Sequence, residues 1–270
     1  MRKAGLTIVV AAFALTACDP GPGTAPPPAP PTALSAPAGD VAHLVAAART
    51  GIAQAPSVSF TMAAVFGADT QNATGSLRFD GSTSALKMVL DGSEIRVLGR
   101  KTYTRSPQEA VPGKPWVGTD PDSADPLAQA AGASVPAIVK LPDLGLALTE
   151  IERTGRIVSA DQTRLGAVAV NHYRLEFDAA KAPELFPEFA QPPLDGKPAK
   201  PVTAKLPAEL WLDAAQRPVR FAVELSPGLP AGAALKGTTD YHGWGEPVDI
   251  RPPPADQVVD LSELLKKLGT

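Results

Sequence analysis

Val58 to Leu90 reads VSFTMAAVFGADTQNATGSLRFDGSTSALKMVL. Val58, Phe60, Met62, Ala64 and Phe66 take every second position, with Ser59, Thr61, Ala63 and Val65 between them. A period of two marks a strand with one buried face. Gly67 breaks that strand. Leu77 and Phe79 then face one way, and Ser76, Arg78 and Asp80 the other. Gly81 and Ser82 turn the chain into a third strand, Ala85 to Leu90, which carries Met88. Asp91-Gly92 is a two-residue hairpin signal, because both central positions of such a turn need positive φ. Short strands joined by tight polar turns predict an antiparallel meander.

The pattern extends downstream. Glu94 to Arg105, with Ile95, Val97 and Tyr103, reads as a fourth strand. Pro107 to about Arg153 reads as a helical insertion: Trp116, an Asp- and Pro-rich loop, a short helix over Asp125 to Ala131, and a helix begun by Leu141-Pro142-Asp143. Strand character returns at Ile157-Val158 and over Ala167 to Asp178, where Tyr173, Leu175 and Phe177 alternate with His172, Arg174 and Glu176. Ala182 to Phe189 reads as a short helix or turn. Leu206 to Asp213 pairs with Pro218 to Leu225, setting Val219, Phe221, Val223 and Leu225 against Arg220, Ala222 and Glu224. Leu235 to Trp244 is a last strand, and Asp256 to Leu268 a closing helix after a proline-rich run. The fold class is α+β: a strongly curved antiparallel sheet whose apolar face the helices must cover.

Upstream, Asp40 is an N-cap for a helix with Val41, Leu44, Val45, Ala48 and Ile52 at helical spacing, ended by Pro56. Residues 18–39 are rich in Pro and Ala, have no apolar period, and are expected to form a disordered tether. Residues 40–270 form one domain. Met1-Arg2-Lys3 is basic, Leu6 to Leu15 is an apolar run too short to span a bilayer, and Leu15-Thr16-Ala17-Cys18 follows. This start resembles the signal peptide and lipobox of bacterial lipoproteins. The resemblance implies cleavage after residue 17 and a diacylglyceryl group on Cys18, with fatty acid such as palmitate. Cys18 is the one cysteine, so no disulfide can form within the chain. The implied localisation is the cell membrane, lipid-anchored on the extracytoplasmic face.

The formal charge of -3 and the absence of a basic run with interleaved aromatics argue against nucleic acid. His43, His172 and His242 have no metal-ligand spacing with one another or with cysteine, and neither GxSxG nor a Walker loop occurs. Asp120, Asp122 and Asp125 make a small acidic loop without the ordered spacing of a calcium site. No enzymatic activity, cofactor or metal is expected.

His172-Tyr173-Arg174-Leu175-Glu176-Phe177-Asp178, Glu209-Leu210-Trp211-Leu212-Asp213 with Arg217-Pro218-Val219-Arg220-Phe221, and Tyr241 to Ile250 with Pro253-Pro254 complete a second likeness. Together with Cys18, they resemble the actinobacterial LprG/LppX-type envelope lipoproteins, which have a LolA-like half-barrel fold. That resemblance implies a hydrophobic cavity on the concave face that binds acylated lipid or glycolipid during transport through the envelope. Apolar strand positions are the cavity candidates: Phe60, Met62, Phe66, Leu77, Phe79, Met88, Leu90, Val97, Val219, Phe221 and Val223. The alternative is a non-enzymatic sensor or accessory lipoprotein that binds a protein partner, an envelope transporter or regulator. A diacyl lipid demands a void near the upper end of ligand pockets, about 1,000 Å³.

Overall fold

Alternating burial along Ser57–Phe66 (β1) sets the inside and outside of the whole sheet: Val58, Phe60, Met62 and Ala64 are buried, while Thr61 is exposed and Ser59 half-buried. The computed structural model describes residues 33–81, 83–126, 128–129, 137–178, 205–228 and 235–268. The leader, Cys18, most of the tether, and the helix expected over Ala182 to Phe189 lie outside them.

The chain runs from α1 (Val41–Gln54) into β1 and then β2 (Asp69–Asp80), β3 (Thr83–Leu90), β4 (Ser93–Leu98), β5 (Lys101–Arg105) and β6 (Trp116–Thr119). Two helices follow, α2 (Ala137–Lys140) and α3 (Leu144–Thr154). After them come β7 (Arg156–Leu165), β8 (Val168–Asp178), β9 (Lys205–Leu212), β10 (Pro218–Glu224) and β11 (Leu235–His242). The short β12 (Val258–Asp260) and α4 (Leu261–Leu268) close the described chain. The strands form one open sheet in the order β12-β6-β5-β4-β3-β2-β1-β11-β10-β9-β8-β7. Every pairing is antiparallel except β12 beside β6. This is the expected α+β class, a mainly antiparallel sheet with few helices, and it does not close.

One apolar core takes Phe60, Leu77 and Met88 from the first half of the sheet, Tyr173, Leu210 and Phe221 from the second, and Leu44, Leu148 and Ile151 from α1 and α3. Strands so far apart in the order share one core only because the sheet curves around the two helices. Burying each large apolar side chain stabilises the fold by roughly 1.5–3 kcal/mol. α1 is capped by Asp40, which accepts from the His43 amide at 2.9 Å. That hydrogen bond holds the Asp40 carboxyl below its ordinary range. A Cβ on Gly51 would stand 2.5 Å from the Gln216 carbonyl oxygen, so α1 packs backbone to backbone on the β9–β10 turn.

The structure departs from the sequence reading in several places. Glu94 to Arg105 is two strands, because Gly99 takes φ 59° and turns the chain. The middle segment is not wholly a helical insertion: Trp116–Thr119 joins the sheet as β6. Gly118 leaves room there for Val258, whose Cγ1 lies 3.1 Å from where a Cβ would stand. The closing helix starts at Leu261, since Val258–Asp260 is spent on β12. β7 runs ten residues to Leu165 although Ser159 to Arg164 shows no apolar alternation, as suits an edge strand wetted on both faces. Ordered contacts also begin ahead of residue 40: Gln162 and Asn171 side chains donate to the Ser35 carbonyl at 2.8 and 3.2 Å, and Tyr173 accepts from the Ala38 amide at 2.9 Å.

The outer face is partly covered. His172, which its place on the polar face gives to solvent, is buried: its ring stacks on Trp211 at 4.4 Å, and its Nε2 meets Glu209 at 2.6 Å. The proline-rich run after β11 crosses this face. Its Glu246, Ile250 and Arg251 carbonyls accept from Ser57, Arg78 and Arg96. The acidic loop is neutralised, with Asp120 and Asp122 meeting Lys101 and Arg100 at 3.0 and 2.8 Å.

Candidate ligand-binding clefts

Two clefts open where α3 leaves the sheet. α3 begins at Asp143, whose Oδ1 accepts from the Leu146 amide at 3.1 Å and caps the first turn. Ahead of the cap, the buried Tyr241 hydroxyl donates to the Pro142 carbonyl at 3.0 Å. Burial pushes that phenol well above its ordinary pKa, so it stays a neutral donor. Leu141 rests on Gly237 of β11. The start of α3 is thus fixed from below, and the gaps lie to either side.

The first cleft, about 520 Å³, lies between α1, α3 and the β2–β3 turn. Ile52, Ala53, Pro56, Phe79 and Leu148 make its apolar wall. Arg49 and Thr149 are its polar residues. Arg49 meets Glu152 at 2.8 Å, and both side chains are half-exposed. The second cleft, about 340 Å³, is bounded by Leu86, Val97, Val139 and Leu146, with Ser84, Arg100, Lys140 and Asp143 supplying polar groups. Both volumes fall below the roughly 1,000 Å³ expected for a diacyl lipid.

The strand positions proposed from sequence divide into three groups. Phe79 lines the first cleft and Val97 the second. Phe60, Met62, Leu77, Met88, Phe221 and Val223 are at most 3% exposed, packed into the core beneath the helices. Leu90 is partly buried against that core. Phe66, at the end of β1, is 36% exposed. Val219 sits at a bulge where the β9–β10 register slips between Pro218 and Arg220, and it stays outside the core cluster. The apolar face of the sheet is therefore mainly packing surface.

Helix residues contribute much of the cleft wall: Ile52 and Ala53 from α1, Gly145, Leu148 and Thr149 from α3. Among the described residues no group of three His, Cys, Asp or Glu is placed to hold a metal ion. None of their helices is long and apolar enough to cross a membrane.

Several solved structures are similar to this chain. The chain is similar to the lipoprotein LppX of Mycobacterium tuberculosis. The two are 15% identical, with a TM-score of 0.46 over 78% of this chain and 98% of LppX. A LolA superfamily protein from Nitrosomonas europaea matches at 10% identity and a TM-score of 0.31, over 80% of this chain and 96% of its own. The MucA/MucB complex of Pseudomonas aeruginosa matches at 13% identity and a TM-score of 0.35, over 74% of this chain and 55% of that one. No protein-family model and no curated protein matches the sequence.

Proposed function

We propose that this chain is a lipid-anchored envelope protein that binds the acyl part of a lipid or glycolipid in the clefts beside α3 and takes part in moving it through the cell envelope. The observation that supports this is the first cleft: an apolar wall from two helices and the sheet, with its charged group in an exposed ion pair. A chain entering it gains about 0.8 kcal/mol for each methylene removed from water. Arg49 can leave Glu152 for an anionic headgroup at little cost, since exposed ion pairs contribute about 0–1 kcal/mol. Nothing covalent is required of the protein. The membrane attachment in this reading is the lipid on Cys18.

A second reading, an accessory lipoprotein that binds a protein partner, is favoured by the modest cleft volumes. One experiment separates the two. The protein is purified from envelopes and its bound lipid identified by mass spectrometry, beside the variant Ala53→Trp, which fills the first cleft from an exposed helix position. The lipid reading expects acyl lipid on the wild type and a several-fold loss in the variant. A wild type without lipid, or equal loading of both, would support the partner-binding reading instead. Cys18→Ala tests the anchor: the variant should leave the membrane fraction.

A further inference from the structure

The two clefts lie on either side of the place where the start of α3 meets the sheet. Phe79 and Ser84 are cross-strand partners on β2 and β3. Phe79 lines the first cleft and Ser84 the second. Between them, Ser84 Oγ donates to Asp143 Oδ2 at 2.7 Å and joins the inner face of the sheet to the cap of α3. The same division continues along the helix, where Gly145 faces the first cleft and its neighbour Leu146 the second. Asp143 thus uses one carboxylate oxygen to start the helix and the other to close the gap.

Volume decides what each side can hold. Taking a methylene at about the 30 Å³ that a water fills in the liquid, a sixteen-carbon chain needs roughly 480 Å³. The first cleft meets that requirement, and the second suits a shorter chain. Neither holds two long chains, whereas the trough they would form without the Ser84–Asp143 contact approaches the size for a two-chain lipid.

We propose that the Ser84–Asp143 hydrogen bond is a partition that sets ligand class: closed, it admits single-chain amphiphiles such as fatty acids or lysolipids, and open, it admits a two-chain lipid. This rests on the acyl-binding reading above and adds its selectivity. Tyr241 and Leu141 hold the segment from behind, so the wall is pinned on its inner side and the Ser84 contact closes it on the sheet side. Removing one hydrogen bond of ordinary net strength shifts such an open–closed balance about five-fold, and the apparent affinity of a ligand needing the open form follows that fraction.

The test uses the full chain, stripped of lipid, with two probes: palmitic acid, and dipalmitoyl phosphatidylglycerol presented in vesicles of that lipid. Binding of each is counted by native mass spectrometry for the wild type, Ser84→Ala and Ser84→Thr. The ratio of two-chain to single-chain uptake should rise about five-fold in Ser84→Ala and return towards wild type in Ser84→Thr, which keeps the hydroxyl. Should Ser84→Ala fail to fold, Asp143→Ser retains a capping oxygen but is too short to reach Ser84, and it should raise the same ratio. An unchanged ratio in the folded variants overturns the partition while leaving acyl binding in place. A wild type that takes neither probe overturns the acyl-binding reading, and the partition with it.

Discussion

Leu141 lies directly over Gly237. A Cβ on that glycine would come within 2.8 Å of one Leu141 methyl and 3.1 Å of the other. The bare backbone of β11 is therefore the seat on which the approach to α3 rests. Gly237→Ala must push Leu141 off that seat, a small overpacking event expected to cost about 1–3 kcal/mol. Urea titration checks it, with a lower midpoint at an unchanged slope. A midpoint equal to wild type would mean that Leu141 is free to lift.

Phe60 and Phe66 share a strand and, by alternation, a face, yet only Phe60 is enclosed. Phe60→Ala should cost about 3–5 kcal/mol, and Phe66→Ala no more than about 0.5 kcal/mol. The comparison is one of unfolding free energies. Equal losses would contradict the burial difference. Val223→Trp belongs with Phe60, because Val223 is buried in the core and lines neither helix-lined cleft: it should destabilise by about 1–3 kcal/mol rather than plug a cavity.

Tyr241 makes stability sensitive to alkali. Its folded-state pKa is raised by burial, so the folded protein keeps the proton where the unfolded chain releases it near pH 10. The stabilisation is fully present below that pH and is lost as pH rises towards the folded value. Tyr241→Phe removes this dependence along with the bond to Pro142, which is worth about 1 kcal/mol at neutral pH. Denaturant midpoints measured at pH 8 and above pH 10 should converge between wild type and variant. Parallel curves would show that another group governs the alkaline limb.

The Ser35 contacts predict where the folded domain begins. Asn171 is fully buried, donates to the Ser35 carbonyl, and accepts from Gln162 at 3.1 Å. Deleting residues 1–39 leaves the Asn171 amide without that acceptor, at a cost of about 1–3 kcal/mol. Deleting 1–32 keeps it. Melting temperatures of the two truncations should differ by several degrees, and identical values would place the start of the domain at Asp40.

Much of the sheet was legible because one-sided burial writes itself as alternation. β1, β8, β9 and β10 carry that pattern plainly, and Asp91-Gly92 forms the hairpin turn its residue types require, with φ of 49° and 77°. The elements missed were those for which alternation carries no information. β7 is wet on both faces, β12 is three residues long, and Gly99 looked like a strand interior. The site was harder to see. Apolar strand residues announce burial equally whether they meet a ligand or a helix, and here α1 and α3 cover most of them. His172 shows the opposite failure, a polar-face residue enclosed by its cross-strand neighbour Trp211.

The two margins of the sheet differ in a way that limits self-association. Filaments built by strand pairing need two usable margins on every molecule, one to give and one to receive. One margin here ends in the three residues of β12, followed at once by α4, while the other is the ten-residue β7. Copies that meet through β7 consume that margin in meeting. Among the described residues, growth by strand pairing then stops at a pair, because the three-residue margin gives a second copy too little backbone to extend from.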